Sequence, residues 1–176
     1  MESTKNSKLD KNLYNAFWGK LQQLKYDIYY YNEHFKRCVS VSRGLKYAIV
    51  AITSLTTGAW INWNDKSTIC LSCAIMIWLL QGISALSEWL PFEKRKQELR
   101  ELSEEFDELY IEMESDWRKI QSLEVCNDEI RTMLQEYASK QNDICKHYLK
   151  DDALPMKEKI RKTADNLTEE YFKYFI

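Results

Sequence analysis

Residues 47–64 read YAIVAITSLTTGAWINWN, and residues 67–87 read STICLSCAIMIWLLQGISALS. These runs of 18 and 21 residues contain no charged side chain, and only Asp65 and Lys66 stand between them. At 1.5 Å per residue, helices of these lengths extend roughly 27 and 32 Å, the thickness of the hydrocarbon core of a bilayer. So short a link requires a helical hairpin with both ends on one side. Lys36, Arg37, Arg43 and Lys46 precede the first run, Lys94, Arg95, Lys96 and Arg100 follow the second, and the turn carries a single lysine. Positive flanks stay in the cytoplasm, so both termini are expected there. Trp60 and Trp63 are expected at the outer interface, and Tyr47, Trp89 and Phe92 at the inner one. The 46 residues ahead of the first run are mostly polar, which excludes a signal peptide. A soluble bundle is the competing reading, but a 21-residue uncharged helix at the centre of a 21.1 kDa protein would be hard to cover on every side.

Outside these runs the chain reads as amphipathic helix. Leu13, Phe17, Leu21, Leu24, Ile28, Tyr31, Phe35 and Cys38 recur at three- and four-residue steps. Ser7 followed by Asp10 resembles a capping box, and Gly44 offers a bend where this helix meets the first run. Tyr26, Tyr29, Tyr30 and Tyr31 widen the aromatic surface for helix packing or interfacial contact, with phosphorylation or base stacking as the other reading. After Pro91, a second stripe holds Phe106, Leu109, Met113, Trp117, Ile120 and Leu123. It resumes at Ile130, Leu134, Tyr137, Ile144 and Tyr148, and Asn127-Asp128 offers a cap that divides it into two antiparallel helices. Pro155 is expected to start a last helix with Met156, Ile160, Ala164, Leu167, Tyr171 and Tyr174 on one face, and the chain ends with that helix, with no appended sensor or catalytic domain. The fold class expected is an all-α membrane protein. A cytoplasmic helix occupies 1–44, a transmembrane hairpin 45–90, and a cytoplasmic helical region 91–176 that joins the first helix in a bundle.

Composition excludes several classes. Net charge is −2, which argues against general nucleic-acid affinity, and four glycines and two prolines argue against a hairpin-rich β fold. Residues 101–116 hold Glu101, Glu104, Glu105, Asp107, Glu108, Glu112, Glu114 and Asp116 with no Lys or Arg. They form either a solvated helix face or a partner for the basic N-terminal helix of the same or a neighbouring subunit. The five cysteines, Cys38, Cys70, Cys73, Cys126 and Cys145, lack a disulfide spacing and read as reduced thiols. Cys70-x-x-Cys73 matches half of a metal site, but neither His34 nor His147 is placed to complete it. No phosphate loop, HExxH or GxSxG is present, and the carboxylates lie on charged faces rather than among apolar residues that would shift them. Catalysis, a metal and a cofactor are therefore not expected.

Polar residues within the two runs form arcs. Cys70, Cys73, Ile77, Gln81, Ser84 and Glu88 share one face of the second, and Thr53, Thr56, Thr57, Trp60 and Asn64 share one of the first. Either they let two helices approach and hydrogen-bond, or several hairpins turn them toward a common axis. In the second case Gln81, Ser84 and Glu88 line a pathway facing Thr53 and Thr57, and homo-oligomerisation is obligatory.

The basic run FKRCVSVSRGLKYAIVAI, the segment SEEFDELYIEMESDWRKI and the terminal ADNLTEEYFKYF, together with the two-run layout, resemble the SLATT family of two-transmembrane effectors in bacterial conflict systems. The resemblance covers nearly the whole chain and rests on architecture, since the family has no sharp catalytic motif. It implies an anti-phage effector of the bacterial inner membrane that oligomerises and permeabilises or depolarises it. The trigger it implies is a linked sensor, a nucleotidyltransferase or a reverse transcriptase with its nucleic acid. The alternative is a non-conducting anchor or adaptor that holds a cytoplasmic partner at the bilayer.

Overall fold

The computed structural model describes residues 10–61, 75–79, 81–82, 92–149 and 154–175. The described secondary structure is entirely helical, with four principal helices: α1 (Lys11–Ile61), α2 (Phe92–Gln121), α3 (Asn127–Tyr148) and α4 (Glu158–Phe172). Residues 75–79 and 81–82 are also helical. The chain divides into two compact units, Met1–His34 with Glu98–Ile176, and Phe35–Gln97.

The first unit is a four-helix bundle whose directions follow from its contacts. Tyr14 meets Trp117 at 4.5 Å between ring centroids and Tyr31 meets Phe106 at 5.3 Å, so α1 and α2 run antiparallel. The Tyr137 hydroxyl donates to Asp116 at 2.8 Å, Lys140 to Glu112 at 2.8 Å, and the Tyr148 hydroxyl to Glu105 at 2.7 Å, so α2 and α3 are antiparallel too. On the remaining side, Trp18 of α1 packs edge-on against Phe172 of α4 at 5.0 Å. The core between these helices is the set of periodic apolar positions: Phe17, Leu21, Leu24 and Ile28 on α1, and Leu99, Leu102, Phe106, Leu109, Met113, Trp117 and Ile120 on α2. Ile130 and Tyr137 on α3, with Ile160, Ala164 and Phe172 on α4, complete it. Trp117 centres an aromatic cluster with Tyr14, Phe17 and Trp18.

Helix ends show how local chemistry sets the boundaries. Ser7 lies outside the described residues. Asp10 itself caps α1, its carboxylate accepting the Asn12 N–H at 2.9 Å. Asn127 does not cap α3 as its type suggests. Cys126 holds the N-cap position, and Glu129 Oε2 accepts its N–H at 2.8 Å. The Asn127 side chain instead accepts the Asp10 N–H at 3.0 Å, tying the starts of α1 and α3 together. Between α2 and α3, Leu123 adopts φ 59° and is exposed, so the apolar stripe of α2 ends at Ile120 rather than Leu123. The last helix begins at Glu158, three residues after Pro155, which leaves Met156 outside it and exposed. Gly44 produces no bend that ends the helix, since α1 continues through it to Ile61.

The expectation of an all-α membrane protein with a transmembrane, pore-forming hairpin in the bacterial inner membrane is corrected here. The helical class holds, but among the described residues no helix is long and apolar enough to cross a membrane. The reason lies in the first run. Freedom from charge is not apolarity, and residues 47–64 include Thr53, Ser54, Thr56, Thr57, Gly58, Asn62 and Asn64. Of the second run, only residues 75–79 and 81–82 lie among the described residues, and the rest of the expected second span lies outside them.

Trp117 is 3% exposed at the centre of the bundle, whereas Ile111 on the same helix is 67% exposed. Urea unfolding of Trp117→Ala should show a loss of about 3–5 kcal/mol. Ile111→Ala should stay within about 0.5 kcal/mol of the parent protein.

Candidate functional site

Polar side chains enter the bundle in two places, both on α1. The first faces α3. Asp27 accepts a hydrogen bond from Gln23 Nε2 at 2.9 Å and a second from Gln141 Nε2 at 2.7 Å. Lys20 Nζ donates to Gln141 Oε1, which orients that amide so that its NH2 points at Asp27. One turn along α1, the Tyr31 hydroxyl lies 4.0 Å from Cys145 Sγ. The spacing explains the cluster. Lys20, Gln23, Asp27 and Tyr31 stand three or four residues apart on one flank of α1, and Gln141 and Cys145 stand four apart on α3. Burial drives the Asp27 carboxyl up to about 6, and the Gln23 and Gln141 hydrogen bonds and the Lys20 charge offset this only in part. Burial also pushes Tyr31 and Cys145 up, so the thiol is held in its unreactive protonated form.

The second place faces α2 and α4. Lys25 Nζ stands 4.3 Å from the Tyr110 ring centroid, 4.6 Å from that of Tyr171 and 5.5 Å from that of Tyr29. The Tyr110 hydroxyl donates to Tyr171 at 3.4 Å, closing the far side of this aromatic enclosure. Burial lowers the Lys25 ammonium below the ordinary lysine value, opposed by the charges of Asp107 and Glu114. The acidic segment 101–116 is therefore divided among several partners. Glu112 and Glu105 bind α3, while Glu104 and Glu114 pair locally with Arg100 and Arg118. Asp107 and Glu114 also act on Lys25 of the basic N-terminal helix.

These contacts are chemically suited to fixing helix register. Asp27 lies beside donors already satisfied by protein, and the lysine is occupied by three rings. Among the described residues no group of three or more His, Cys, Asp or Glu side chains could hold a metal ion.

The polar residues singled out in the two uncharged runs lie in the second unit or outside the described residues. Thr53 is exposed on α1 and its hydroxyl donates back to the Ile49 carbonyl at 2.7 Å. Thr57 and Trp60 belong to α1, and Gln81 is helical and exposed. Ser84, Glu88, Trp63 and Trp89, with Cys70 and Cys73, lie outside the described residues. Tyr47 is 68% exposed. Sequence reasoning missed Asp27 and Lys25. The four-residue spacing of Lys25 and Tyr29 was a visible signal, but Gln141, Tyr110 and Tyr171 come from distant segments that only the fold brings in.

Asp27 gives a pH signature. Its carboxyl is raised from 3.8 in the unfolded chain to about 6, so the folded state holds the proton more tightly. The stabilisation this provides is complete below the unfolded value and is lost as pH rises through the folded one. The parent protein should therefore lose roughly 2–3 kcal/mol of stability between about pH 4 and pH 7 that Asp27→Asn, which has no proton to lose, does not lose. Thermal unfolding of both proteins across this range measures the difference.

Comparison with protein-family models, curated proteins and solved structures found no match to this chain.

Proposed function

We infer that this chain is a non-catalytic assembly protein. Its bundle is a self-contained platform, and its second unit joins copies of the chain to one another. One observation carries this reading. Every apolar residue shown to be buried belongs to the first unit, whereas in residues 35–97 no residue whose burial is described is buried. Val41, Tyr47 and Val50 are exposed on α1, and Ile75, Met76, Ile77, Trp78 and Leu79 are five consecutive exposed apolar residues, Trp78 at 79%. At 100° per residue, five consecutive positions cover the whole circumference of a helix. Apolar surface of this kind is covered by a partner in a working protein. A helix apolar on all sides needs cover from several directions, which a closed symmetric assembly of identical copies supplies.

The segments similar to the SLATT family, FKRCVSVSRGLKYAIVAI, SEEFDELYIEMESDWRKI and ADNLTEEYFKYF, support a second element of the reading, a defence effector engaged by a linked sensor. In that role the polar, well-packed bundle receives the sensor and the apolar unit assembles. A transmembrane conducting pathway forms no part of this proposal, since no described helix is long and apolar enough to cross a membrane.

Analytical ultracentrifugation of the full chain in detergent-free buffer should give a particle of several subunits. The triple substitution Ile75→Ser, Trp78→Ser, Leu79→Ser should sediment as a monomer with the helical circular dichroism of the bundle retained. A monomeric parent protein, or an unchanged mass in the variant, contradicts the assembly role. For the effector element, induced expression of the parent chain should arrest growth and the triple variant should not.

A further inference from the structure

We propose that the groove between α1 and α4 receives the basic stretch at residues 36–46 of a second copy of this chain. The proposal rests on the association of copies inferred from the second unit, and it names a further contact between them. The groove holds about 330 Å³, with Gly19 and Tyr26 of α1 and Asp165, Glu169 and Phe172 of α4 among its walls. Past Phe172 it continues into a second hollow of about 670 Å³, beside Glu170 and Lys173. Asp165, Glu169 and Glu170 are exposed, and among the described residues none of the three takes part in an ion pair. Arg161, whose charge reaches Tyr26 at the edge of the groove, is engaged by Glu158 at 3.0 Å. Lys173 is therefore one cation among the described lining residues, against three carboxylates.

The opposite charge is concentrated elsewhere in the sequence. Residues 34–64 contain Lys36, Arg37, Arg43 and Lys46 and no Asp or Glu. All four cations are exposed, and among the described residues Arg37 and Arg43 take part in no ion pair. An acidic groove on one copy and an acid-free basic stretch on the next are complementary in sign, which fixes the choice of partner and its register. The apolar parts match as well. Val41, within the stretch, is 45% exposed, and the groove offers it Phe172, while the Tyr26 ring offers a face to an arginine. Gly19 gives a reason independent of charge. A glycine inside a helix weakens it, and the bundle does not require one here, since a Cβ at Gly19 would meet no atom within 4 Å. The missing side chain instead lets a neighbour from outside lie close against the α1 backbone.

The test is fluorescence anisotropy of a labelled peptide of residues 34–48, with Cys38→Ser, titrated with the full-length triple variant Ile75→Ser, Trp78→Ser, Leu79→Ser. Binding should saturate and should weaken about tenfold or more when salt is raised from about 0.05 M to about 0.5 M. Adding Asp165→Lys and Glu169→Lys should weaken it about tenfold or more. Adding Glu108→Lys and Glu136→Lys makes the same change in net charge at exposed positions of α2 and α3, and should leave the affinity within about twofold. Gly19→Leu fills the groove without meeting the bundle, so it should weaken binding about tenfold while the helical circular dichroism is unchanged. No saturable binding, or equal affinity for the groove variants and the α2–α3 control, overturns the site. A monomeric parent protein overturns the second copy as occupant together with the assembly role. An assembled parent protein whose triple variant takes up no peptide overturns the groove contact alone, so the two failures are told apart.

Discussion

Phe17, Leu21, Leu24 and Ile28 follow one another at three- and four-residue steps on α1, and none is more than 2% exposed. This single apolar stripe is shared by the other helices of the bundle. Phe17 reaches Trp117 of α2 and Tyr137 of α3, and the adjacent Trp18 reaches α4. Without it, the apolar faces of α2, α3 and α4 have no common wall to close against. Polar contacts fix the register of that wall. They lie on its two flanks, where Asp27 meets Gln141 and Lys25 meets Tyr110 and Tyr171. Each places a charge or dipole in partial burial with a specific partner, so sliding any helix by a turn leaves a polar group desolvated and unmatched.

The two units differ in kind. In the first, apolar surface is spent inward on a core that needs no other molecule. In residues 35–97, no side chain whose burial is described is buried, and Val41, Tyr47, Val50 and residues 75–79 are exposed. Charge accompanies this division. Lys36, Arg37, Arg43 and Lys46 precede the exposed apolar part of α1, while the acidic stretch of α2 is drawn into contacts with Lys140, Tyr148 and Lys25. The first unit also exposes single apolar residues, Ile111, Leu123 and Met156 among them, but the run of five consecutive ones is at residues 75–79.

The helical stripes of the bundle were legible in the sequence because burial there follows a simple period: Phe106, Met113, Trp117, Ile120, Ile130 and Tyr137 were all on the expected faces and all are buried. The ends were less legible. Helix starts depend on which of several capable side chains takes the cap, and at α3 the choice fell on Cys126 because Asn127 was engaged by Asp10. The first uncharged run was misread for a different reason. Counting the absence of charge gave Thr53, Thr56, Thr57 and Asn64 the same weight as leucine, although each carries polar atoms that disfavour hydrocarbon. The Asp27 and Lys25 contacts could not be read from spacing alone, since their partners come from residues 110, 141 and 171.

Hydrogen exchange of the full chain over a dilution series tests the central division most directly. Amides of residues 13–34 and 99–120 should be strongly protected at every concentration, because their cover comes from the same chain. Amides of residues 75–79 should gain protection as concentration rises, because their cover comes from another copy. Protection at 75–79 that is independent of concentration, or protection of the bundle that itself depends on concentration, would contradict the account.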